Sequence, residues 1–234
     1  MNQNEFVEYQ QLVGDEYEIK RLLGGELGGG ASTLAFLLED KNGASFVLKV
    51  PRGEKDINQW LNKQQAAYKI IQDKFADFTG DINLPQLVKI GDGFMIEKYL
   101  GEEIAGKQLT PEQNQKLAQQ LGEFLGFCHS QPIEGVQPAP QNRDIPLEEY
   151  FEYLKDGLCE IDQKKLLQKI NAFKNRDTGD EEPVLCHGDV QARNILYDEK
   201  TDNFSIIDFE IMGEYNIYRD FAFGDRYDVM WAHD

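Results

Sequence analysis

Positive charge is scarce in this sequence. It holds 24 Lys and Arg against 42 Asp and Glu, which gives a formal net charge of −18 at pH 7. Proteins that wrap nucleic acid or lie on anionic lipid need a basic face, so this balance argues against both kinds of partner. A cationic small molecule is the better electrostatic match. A solvated acidic surface that merely keeps the protein in solution accounts for the same composition, and this alternative stays open.

Cysteine and long apolar runs are also scarce. The three cysteines, Cys128, Cys159 and Cys186, are odd in number, widely spaced and without a C-x-x-C pair, which argues against a disulfide framework and a zinc knuckle. The opening residues MNQNEFVEYQ carry no basic stretch followed by an apolar segment, and no apolar run reaches the length that spans a bilayer. We therefore expect a protein of a reducing compartment, the cytoplasm, without membrane contact.

The first hundred residues are predicted to form strands, turns and one long helix. With 234 residues and 41% hydrophobic side chains, the chain can bury one large core or two smaller ones. Apolar residues recur at helical spacing across residues 56–78, which predicts an amphipathic helix. Asn42-Gly43 predicts a tight hairpin turn. Strands are predicted at residues 17–23, 34–38, 46–50, 87–90 and 94–97.

The pattern changes after Gly101 and becomes more helical. Thr110-Pro111-Glu112 combines an N-cap residue, a proline at the first helical position and an acidic first turn, which predicts a helix start. Further helices are predicted at residues 147–158 and 161–173, and short strands at residues 184–186, 195–197 and 204–207. We expect an N-terminal unit over residues 1–100 and a C-terminal unit over residues 101–234.

Two segments late in the chain carry the most chemical information. They are C-H-G-D-V-Q-A-R-N-I-L at residues 186–196 and I-I-D-F-E at residues 206–210. They place the side-chain oxygens of Asp189, Asn194 and Asp208 at loop and strand ends. Phosphoryl transfer needs a carboxylate that accepts the proton of the attacking hydroxyl, and oxygen ligands for Mg²⁺. Asp189 fits the first role, and the other two residues fit the second.

These motifs resemble a known superfamily. His-Gly-Asp, the asparagine five positions after that aspartate, and Ile-Asp-Phe-Glu look like the aminoglycoside phosphotransferase and choline kinase superfamily. Protein kinases have Arg where this chain has Gly188, and Gly where it has Glu210. The resemblance extends over about residues 22–228. It implies an α+β, protein-kinase-like two-lobed fold, with a small β-rich N-terminal lobe carrying one long helix and a larger, mostly helical C-terminal lobe.

The resemblance also implies roles for single residues. Asp189 would be the catalytic base, Asn194 and Asp208 would be the Mg²⁺ ligands, and His187 would brace the loop without touching substrate. Asp220 would tie the segment after the metal loop to the core. The nucleotide would be ATP or GTP. The residues implied to contact it are Gly28, Gly29, Gly30, Ser32, Thr33, Lys49, Glu97 and Tyr99.

Each part of this nucleotide site has a physical rationale. A glycine-rich turn between two strands offers backbone N–H groups to phosphate oxygens. Lys49 is a lone charge in the apolar strand V-L-K-V, and it resembles the lysine that pairs the α- and β-phosphates. The segment M-I-E-K-Y-L-G at residues 95–101 resembles the interlobe hinge of the superfamily, and this resemblance implies that backbone groups near Glu97 and Tyr99 hydrogen-bond the purine edge. A near match to the P-loop at residues 101–108 is rejected, because it lacks the final Ser or Thr and carries two glutamates that would face the phosphates.

One helix position departs from the superfamily pattern. Kinases of this kind carry a glutamate on the helix after the lysine strand, where it orients the lysine, and the matching stretch K-Q-Q-A-A has Gln65 there. Glutamine can hydrogen-bond but offers no charge. Either a nearby carboxylate substitutes for it, or the phosphates are positioned weakly.

The sequence thus predicts a kinase that moves the γ-phosphoryl group of ATP to a hydroxyl of a small amino-bearing acceptor, such as an aminoglycoside. A choline, ethanolamine or other metabolite kinase is a first alternative. A nucleotide-binding pseudokinase that acts as an interaction module is a second, motivated by Gln65 and the short stretch after Asp228. The oligomeric state stays open. The acidic residues that would attract an amine are Glu148, Glu149, Glu152, Asp156, Asp225 and Asp228.

Overall fold

An antiparallel sheet of five strands occupies the first half of the chain. The computed structural model describes residues 3–24, 33–53, 56–136, 164, 167–168, 183–215, 217 and 219–220. The strands are β1 (Tyr17–Leu22), β2 (Thr33–Asp40), β3 (Ser45–Pro51), β4 (Leu87–Ile90) and β5 (Met95–Lys98). They lie in the order β1-β2-β3-β5-β4, and every neighbouring pair is antiparallel. The five predicted strands are confirmed, with small differences at their ends.

The helix predicted over residues 56–78 begins at Ile57 and ends at Lys74, and we call it α2 (Ile57–Lys74). The Asp56 carboxylate accepts the N–H groups of Asn58 and Gln59, which satisfies two of the donors that a helix start leaves unpaired. Trp60 and Tyr68 of α2 pack against Met95 of the sheet, whereas Ala67 packs in a separate cluster with later residues of the chain. The buried residues of α2 recur at helical spacing. They are Trp60, Gln64, Ala67 and Tyr68.

Alternation along the strands gives the sheet two buried faces. Leu48 and Ile96 lie on one face, where they form an apolar cluster with Val13 of the N-terminal helix. Met95 lies on the opposite face and packs against Trp60 of α2. Since successive side chains of a strand point to opposite sides, the odd-numbered positions of β3 and β5 face α2.

The N-terminal helix α1 (Gln3–Val13) has no counterpart among the predicted elements. A short helix of this kind is not stable alone in water and depends on tertiary contacts. Gln10 supplies one such contact. Its Oε1 accepts the Ile19 N–H at 2.9 Å, and its Nε2 donates to the Tyr17 carbonyl at 2.8 Å, which ties α1 to β1.

Helix α3 (Pro111–Ser130) starts where the sequence predicts a helix start. Thr110 Oγ1 accepts the Gln113 N–H at 3.2 Å, and Gln113 Oε1 accepts the Thr110 N–H at 2.9 Å, which forms a capping box. The buried stripe of α3 includes Leu121 and Phe124. It belongs to the larger of the buried clusters, together with residues of α2 and of the later strands.

Two small sheets follow α3. Strand β7 (Val184–Cys186) pairs with β10 (Gly213–Tyr215), and β8 (Ile195–Asp198) lies between β6 (Glu102–Glu103) and β9 (Asn203–Ile206). The three strands predicted in this part are confirmed. Strands β6 and β10 were not predicted, because two or three residues are too few to display an alternating pattern.

Helices and antiparallel sheets together confirm an α+β protein. The helix predicted at residues 147–158 lies outside the described residues. So does the helix predicted at residues 161–173, apart from residues 164 and 167–168, which are helical. Among the helices of the described part, none is long and apolar enough to cross a membrane.

Candidate active site

The loop after β7 and the segment after β9 meet at one end of the β8–β9 hairpin. Ile195 of β8 lies opposite Ile206 of β9, and the Ile207 N–H donates to the Asn194 carbonyl at 2.9 Å. The pairing therefore brings Asn194 next to the segment that begins with Asp208. Two residues that are distant in the sequence become neighbours because antiparallel pairing aligns the ends of the strands.

Asp189 is held by two amide side chains. Its Oδ2 accepts Nδ2 of Asn194 at 2.9 Å and Nε2 of Gln191 at 2.7 Å. The same Asn194 Nδ2 also donates to the Asp189 carbonyl at 2.9 Å, so Asn194 grips both the backbone and the side chain of the aspartate. Asn194 and Gln191 are buried, whereas Asp189 is half-buried. The carboxylate thus has a defined orientation at a surface that solvent or substrate can reach.

His187 lies behind this loop and is fully buried. Its Nδ1 accepts the Asp189 N–H at 3.3 Å, and its Nε2 lies 3.1 Å from the Ile207 carbonyl. A ring that accepts at Nδ1 and donates at Nε2 is neutral. Burial lowers the pKa of His187, although Asp220 and Asp189 act in the opposite direction. The geometry agrees with the bracing role expected for His187, because it joins the Asp189 loop to the strand end that precedes Asp208.

Asp220 anchors the start of the same loop. Its Oδ1 accepts the Gly188 N–H at 2.7 Å, and its Oδ2 accepts the His187 N–H at 3.1 Å. Gly188 has a φ of +84°, and a Cβ there would lie 2.9 Å from the Ile211 carbonyl oxygen, so the turn requires glycine. The tie between Asp220 and the core agrees with the structural role expected for this residue.

Two more side chains complete this anchor. His129 Nε2 lies 2.9 Å from Asp220 Oδ2, and ligand-type atoms of His129, Cys186 and Asp220 all lie within 4.8 Å of one another. Burial raises the pKa of the Cys186 thiol, and the Asp220 charge raises it further, so the thiol stays protonated. Both carboxylate oxygens of Asp220 accept backbone N–H groups, and these hydrogen bonds account for its position.

Asp208 lies in a left-handed backbone conformation and in a negatively charged setting. It has a φ of +70°, a conformation that only glycine, asparagine and aspartate adopt with ease. Burial raises the pKa of the Asp208 carboxyl, Lys49 opposes this shift, and Asp189 and Glu97 add to it. Burial also raises the pKa of Glu210, with Asp208 as the next cause. Three carboxylates, those of Glu97, Asp208 and Glu210, therefore act on one lysine, an excess of negative charge that a divalent cation would relieve.

Lys49 reaches this site from the sheet. Its Nζ lies 2.8 Å from Glu97 Oε1, with 18% of the lysine side chain and 6% of the glutamate side chain exposed. Burial lowers the pKa of Lys49, but Glu97, Asp208 and Glu210 together raise it above its ordinary value. The lysine is therefore charged.

Helix α2 offers a glutamine to this site at a different position from the one the sequence indicated. Gln65 is exposed, whereas Gln64 is buried and its Nε2 donates to Glu210 Oε1. The contact joins α2 to the segment after Asp208.

A cavity of about 210 Å³ opens beside Lys49. Strand residues such as Ala35 and Val47 form one wall, and Leu196 and Ile207 form the other. Tyr99 and Gly101 lie on the segment that joins the two walls. Gly101 has a φ of +122°, and a Cβ there would lie 2.5 Å from the Tyr197 carbonyl oxygen, so glycine is needed for β8 to approach. The remaining lining residues are Arg21, Leu23, Gly24, Lys49, Glu97, Lys98, Leu100, Glu102 and Glu103.

Some of the other residues predicted to contact the nucleotide line this cavity, and others do not. Tyr99 lines the cavity, but its N–H donates to the Ser45 carbonyl at 3.3 Å. Thr33 is buried, and its Oγ1 accepts Nε1 of Trp60 at 3.0 Å, so the hydroxyl supports α2 and is absent from the cavity lining. Lys49 and Glu97 both line the cavity, Glu97 with its side chain directed to the lysine. Four predicted nucleotide contacts lie outside the described residues: Gly28, Gly29, Gly30 and Ser32. The acidic residues predicted to attract the acceptor also lie outside them.

Sequence reasoning missed three side chains of this site: Gln191, Gln64 and Glu210. Gln191 lies two positions after Asp189 in the same loop, and this closeness in the sequence could have indicated a contact between the two side chains. Glu210 was noted only because protein kinases have glycine there. The sequence does not reveal which of Gln64 and Gln65 faces the site, because this depends on how α2 is oriented about its own axis.

Comparisons with known proteins identify the family and the fold. The model of the family described as "Phosphotransferase enzyme family" matches residues 25–225. Among curated protein sequences, none matches significantly. The solved macrolide 2'-phosphotransferase type I aligns with a TM-score of 0.62 and 13% identity, over 96% of this chain and 79% of that one. An aminoglycoside-3'-phosphotransferase of type VIII aligns with a TM-score of 0.57 and 17% identity, over 96% and 82% of the two chains.

A third solved structure, the ternary complex of streptomycin, ATP and APH(2″)-IIa, aligns with a TM-score of 0.54 and 18% identity, over 94% of this chain and 74% of that one. At these identities the likeness establishes a shared fold, that of the kinase-like phosphotransferases.

Proposed function

The chain belongs to the phosphotransferase enzyme family, and from this premise we propose that it moves the γ-phosphoryl group of ATP or GTP to a hydroxyl of a small molecule. The observation that carries the proposal is the junction of Asp189, Asn194 and Asp208 at one end of the β8–β9 hairpin, beside the charged Lys49. A carboxylate, oxygen ligands and a lysine are the groups that phosphoryl transfer requires from a protein.

The proposal places the nucleotide between two lobes, residues 1–100 and 101–234. The cavity supports this arrangement, because Val47 and Lys49 line one wall and Leu196 and Ile207 line the other. The apolar walls would hold the purine, and backbone groups of Glu97 and Tyr99 would lie along its edge. Lys49 would bind the α- and β-phosphates. The turn with Gly28, Gly29, Gly30 and Ser32, followed by Thr33, would cover them.

Asn194 and Asp208 fit a hard divalent cation. Asn194 uses Nδ2 to hold Asp189, so its carbonyl Oδ1 is the atom available as a ligand. The donor set is oxygen only, which suits Mg²⁺ and does not suit a soft metal. When bound, Mg²⁺ would neutralise charge on the phosphates. Asp208 and the nearby Glu210 would lose their mutual repulsion.

Asp189 would accept the proton of the acceptor hydroxyl. Gln191 and Asn194 both donate to Oδ2, which leaves Oδ1 as the oxygen that takes the proton. His187 keeps the loop in place from behind through its neutral ring. A base fixed in orientation, with one oxygen committed to hydrogen bonds, suits general base catalysis.

The acceptor that we propose carries amino groups, as aminoglycosides do. The net charge of −18 favours cationic ligands and disfavours nucleic acid and anionic membranes as partners, and the proposed setting is the cytoplasm. One enzyme that shares the fold, APH(2″)-IIa, has been solved with streptomycin and with gentamicin. A choline or ethanolamine kinase remains the second candidate, because the same charge favours it. The pseudokinase alternative loses its first motive, since Glu97 supplies the carboxylate that Gln65 lacks.

The test is Mg²⁺-dependent nucleotide turnover against a panel of aminoglycosides, choline, ethanolamine and amino sugars. Wild-type protein should turn over nucleotide with at least one acceptor. Asp189→Asn should lower turnover by about 10²-fold or more while nucleotide binding persists, because general base catalysis contributes about that factor. Asp92→Asn, in an exposed turn, is the matched control and should behave as wild type. Retained turnover in Asp189→Asn would contradict the assignment of the base, and nucleotide binding without turnover on any acceptor would favour a pseudokinase.

A further inference from the structure

The sheet itself supplies the carboxylate that orients the phosphate-binding lysine. Val47 of β3 lies opposite Glu97 of β5, and Lys49 lies opposite Met95. Lys49 and Glu97 are therefore diagonal neighbours on one face of an antiparallel pair, a spacing that long side chains bridge. Both partners belong to strands inside the sheet, since β3 pairs with β2 and β5, and β5 pairs with β3 and β4.

Helix α2 presents no carboxylate to this lysine. The buried residues of α2 are Trp60, Gln64, Ala67 and Tyr68. The single acidic residue of the helix, Asp73, is exposed in the last turn. Burial and the Glu97 charge raise the pKa of Tyr68, which keeps its hydroxyl protonated beside the glutamate.

The acidic side chains in the segment after β9 compete for the same lysine. Asp208 and Glu210 both attract Lys49, after Glu97 in strength. Without Glu97, the Lys49 ammonium group would be drawn toward Asp208 and would compete with a cation there. The glutamate therefore does two things: it offsets the burial of the lysine charge, and it keeps that charge on the sheet side of the cleft.

We propose that Glu97 is a positioning residue that holds Lys49 for the nucleotide phosphates from within the sheet, so that the carboxylate of the ion pair comes from a strand and not from α2. The inference rests on the proposed phosphotransferase function. In protein kinases the corresponding glutamate lies on a helix, and movement of that helix controls the pair. Here two hydrogen-bonded strands hold both partners, so the lysine is oriented before nucleotide binds. Helix α2 is joined instead to Glu210, through Gln64.

The experiment compares the binding of ATP with Mg²⁺ and the binding of adenosine, which has no phosphates. Glu97→Gln should weaken ATP binding about tenfold or more, the range of a charge-assisted contact. Adenosine binding should not change, because the glutamine keeps the backbone and shape of β5. Gln65→Ala, at the exposed helix position, is the control and should leave both affinities unchanged.

A double-mutant cycle separates positioning from general structure. If Glu97 acts through Lys49, Glu97→Gln should have almost no further effect on ATP binding in a Lys49→Met background. Equal weakening of ATP and adenosine binding, additive effects of the two substitutions, or unchanged ATP binding in Glu97→Gln would each overturn the inference.

Two further readouts keep the outcome decisive. Thermal unfolding reports whether Glu97→Gln is folded, and if it is not, Glu97→Asp takes its place with the same expected selective loss of ATP over adenosine. If the wild-type protein binds ATP and Glu97→Gln binds it equally well, only this inference fails. If the wild-type protein binds neither ligand, the proposed function fails with it.

Discussion

Replacing Asp208 by asparagine should stabilise the free protein and at the same time remove its response to Mg²⁺. Asp208 is half-buried, with Asp189, Glu97 and Glu210 near it and Lys49 as the nearby cation, and burial, opposed only in part by Lys49, raises its pKa. Asparagine keeps an oxygen that can accept the Glu210 N–H and tolerates the φ of +70°. The substitution therefore removes the charge and little else.

The sign follows from the pKa shift. A carboxyl whose pKa is raised by folding favours the folded state below its unfolded pKa, and that stability is lost as the pH rises through the folded pKa. At pH 7.5 the wild-type protein bears this penalty and the variant does not. Removal of a destabilising active-site charge raises the free energy of unfolding by about 1–2 kcal/mol. For a chain of this size, that gain corresponds to a rise in Tm of about 2–8 °C.

The assay is thermal unfolding at pH 7.5, once with a chelator and once with Mg²⁺ and a non-hydrolysable ATP analogue. Asp208→Asn should melt above wild type in the chelator, and the advantage should shrink toward pH 4 as the wild-type carboxyl takes up a proton. Mg²⁺ and nucleotide together should raise the Tm of wild type much more than that of the variant. Asp92→Asn controls for loss of a surface charge. A variant less stable than wild type in chelator at pH 7.5 would refute the reasoning, because it would mean that attraction to Lys49 outweighs the burial and repulsion.

Two other predictions concern His187 and Gly101. Burial lowers the pKa of His187, so stability should fall as the pH drops below about 6.5, by up to about 1.4 kcal/mol per pH unit, and this dependence should flatten in His187→Gln. Urea unfolding at pH 7.5 and 5.5 measures this change in the free energy of unfolding. An equal change with pH in the wild-type protein and in His187→Gln would argue against a neutral, buried His187. Gly101→Ala should lower stability by about 2–5 kcal/mol, because an added Cβ would meet the Tyr197 carbonyl at 2.5 Å in a strained conformation. Gly106→Ala, with a φ of +72° and open space around it, should lose only about 1–2 kcal/mol, and similar losses at both glycines would contradict the predicted clash.

Local sequence signals predicted the elements whose ends are decided by adjacent residues. The start of α3 follows from Thr110 and Pro111, because capping needs only neighbours in the chain. The β8–β9 hairpin follows from two short apolar runs around a polar turn. By contrast, the polar helix α1 depends on the contact of Gln10 with β1, which no local pattern reveals.

The chemical groups of the Asp189 loop could be predicted from the sequence because its residues are close in the chain. Asp189, Gln191 and Asn194 belong to one loop, and His187 precedes them directly, so a linear motif carries most of the loop geometry. Antiparallel pairing then made the approach of Asp208 predictable from the hairpin.

The partner of Lys49 could not be predicted in this way. The superfamily pattern pointed to the helix at Gln65, which is exposed, while the residue that pairs with Lys49 is Glu97 on a neighbouring strand. The same sequence letters are compatible with either arrangement, since a shift of one residue in strand register moves a side chain to the opposite face of a sheet. Motif spacing along the chain was enough to predict a phosphotransferase and to name a candidate base. Packing between distant segments decided which charges surround the lysine. It set the register of β3 against β5 and the orientation of α2 about its own axis.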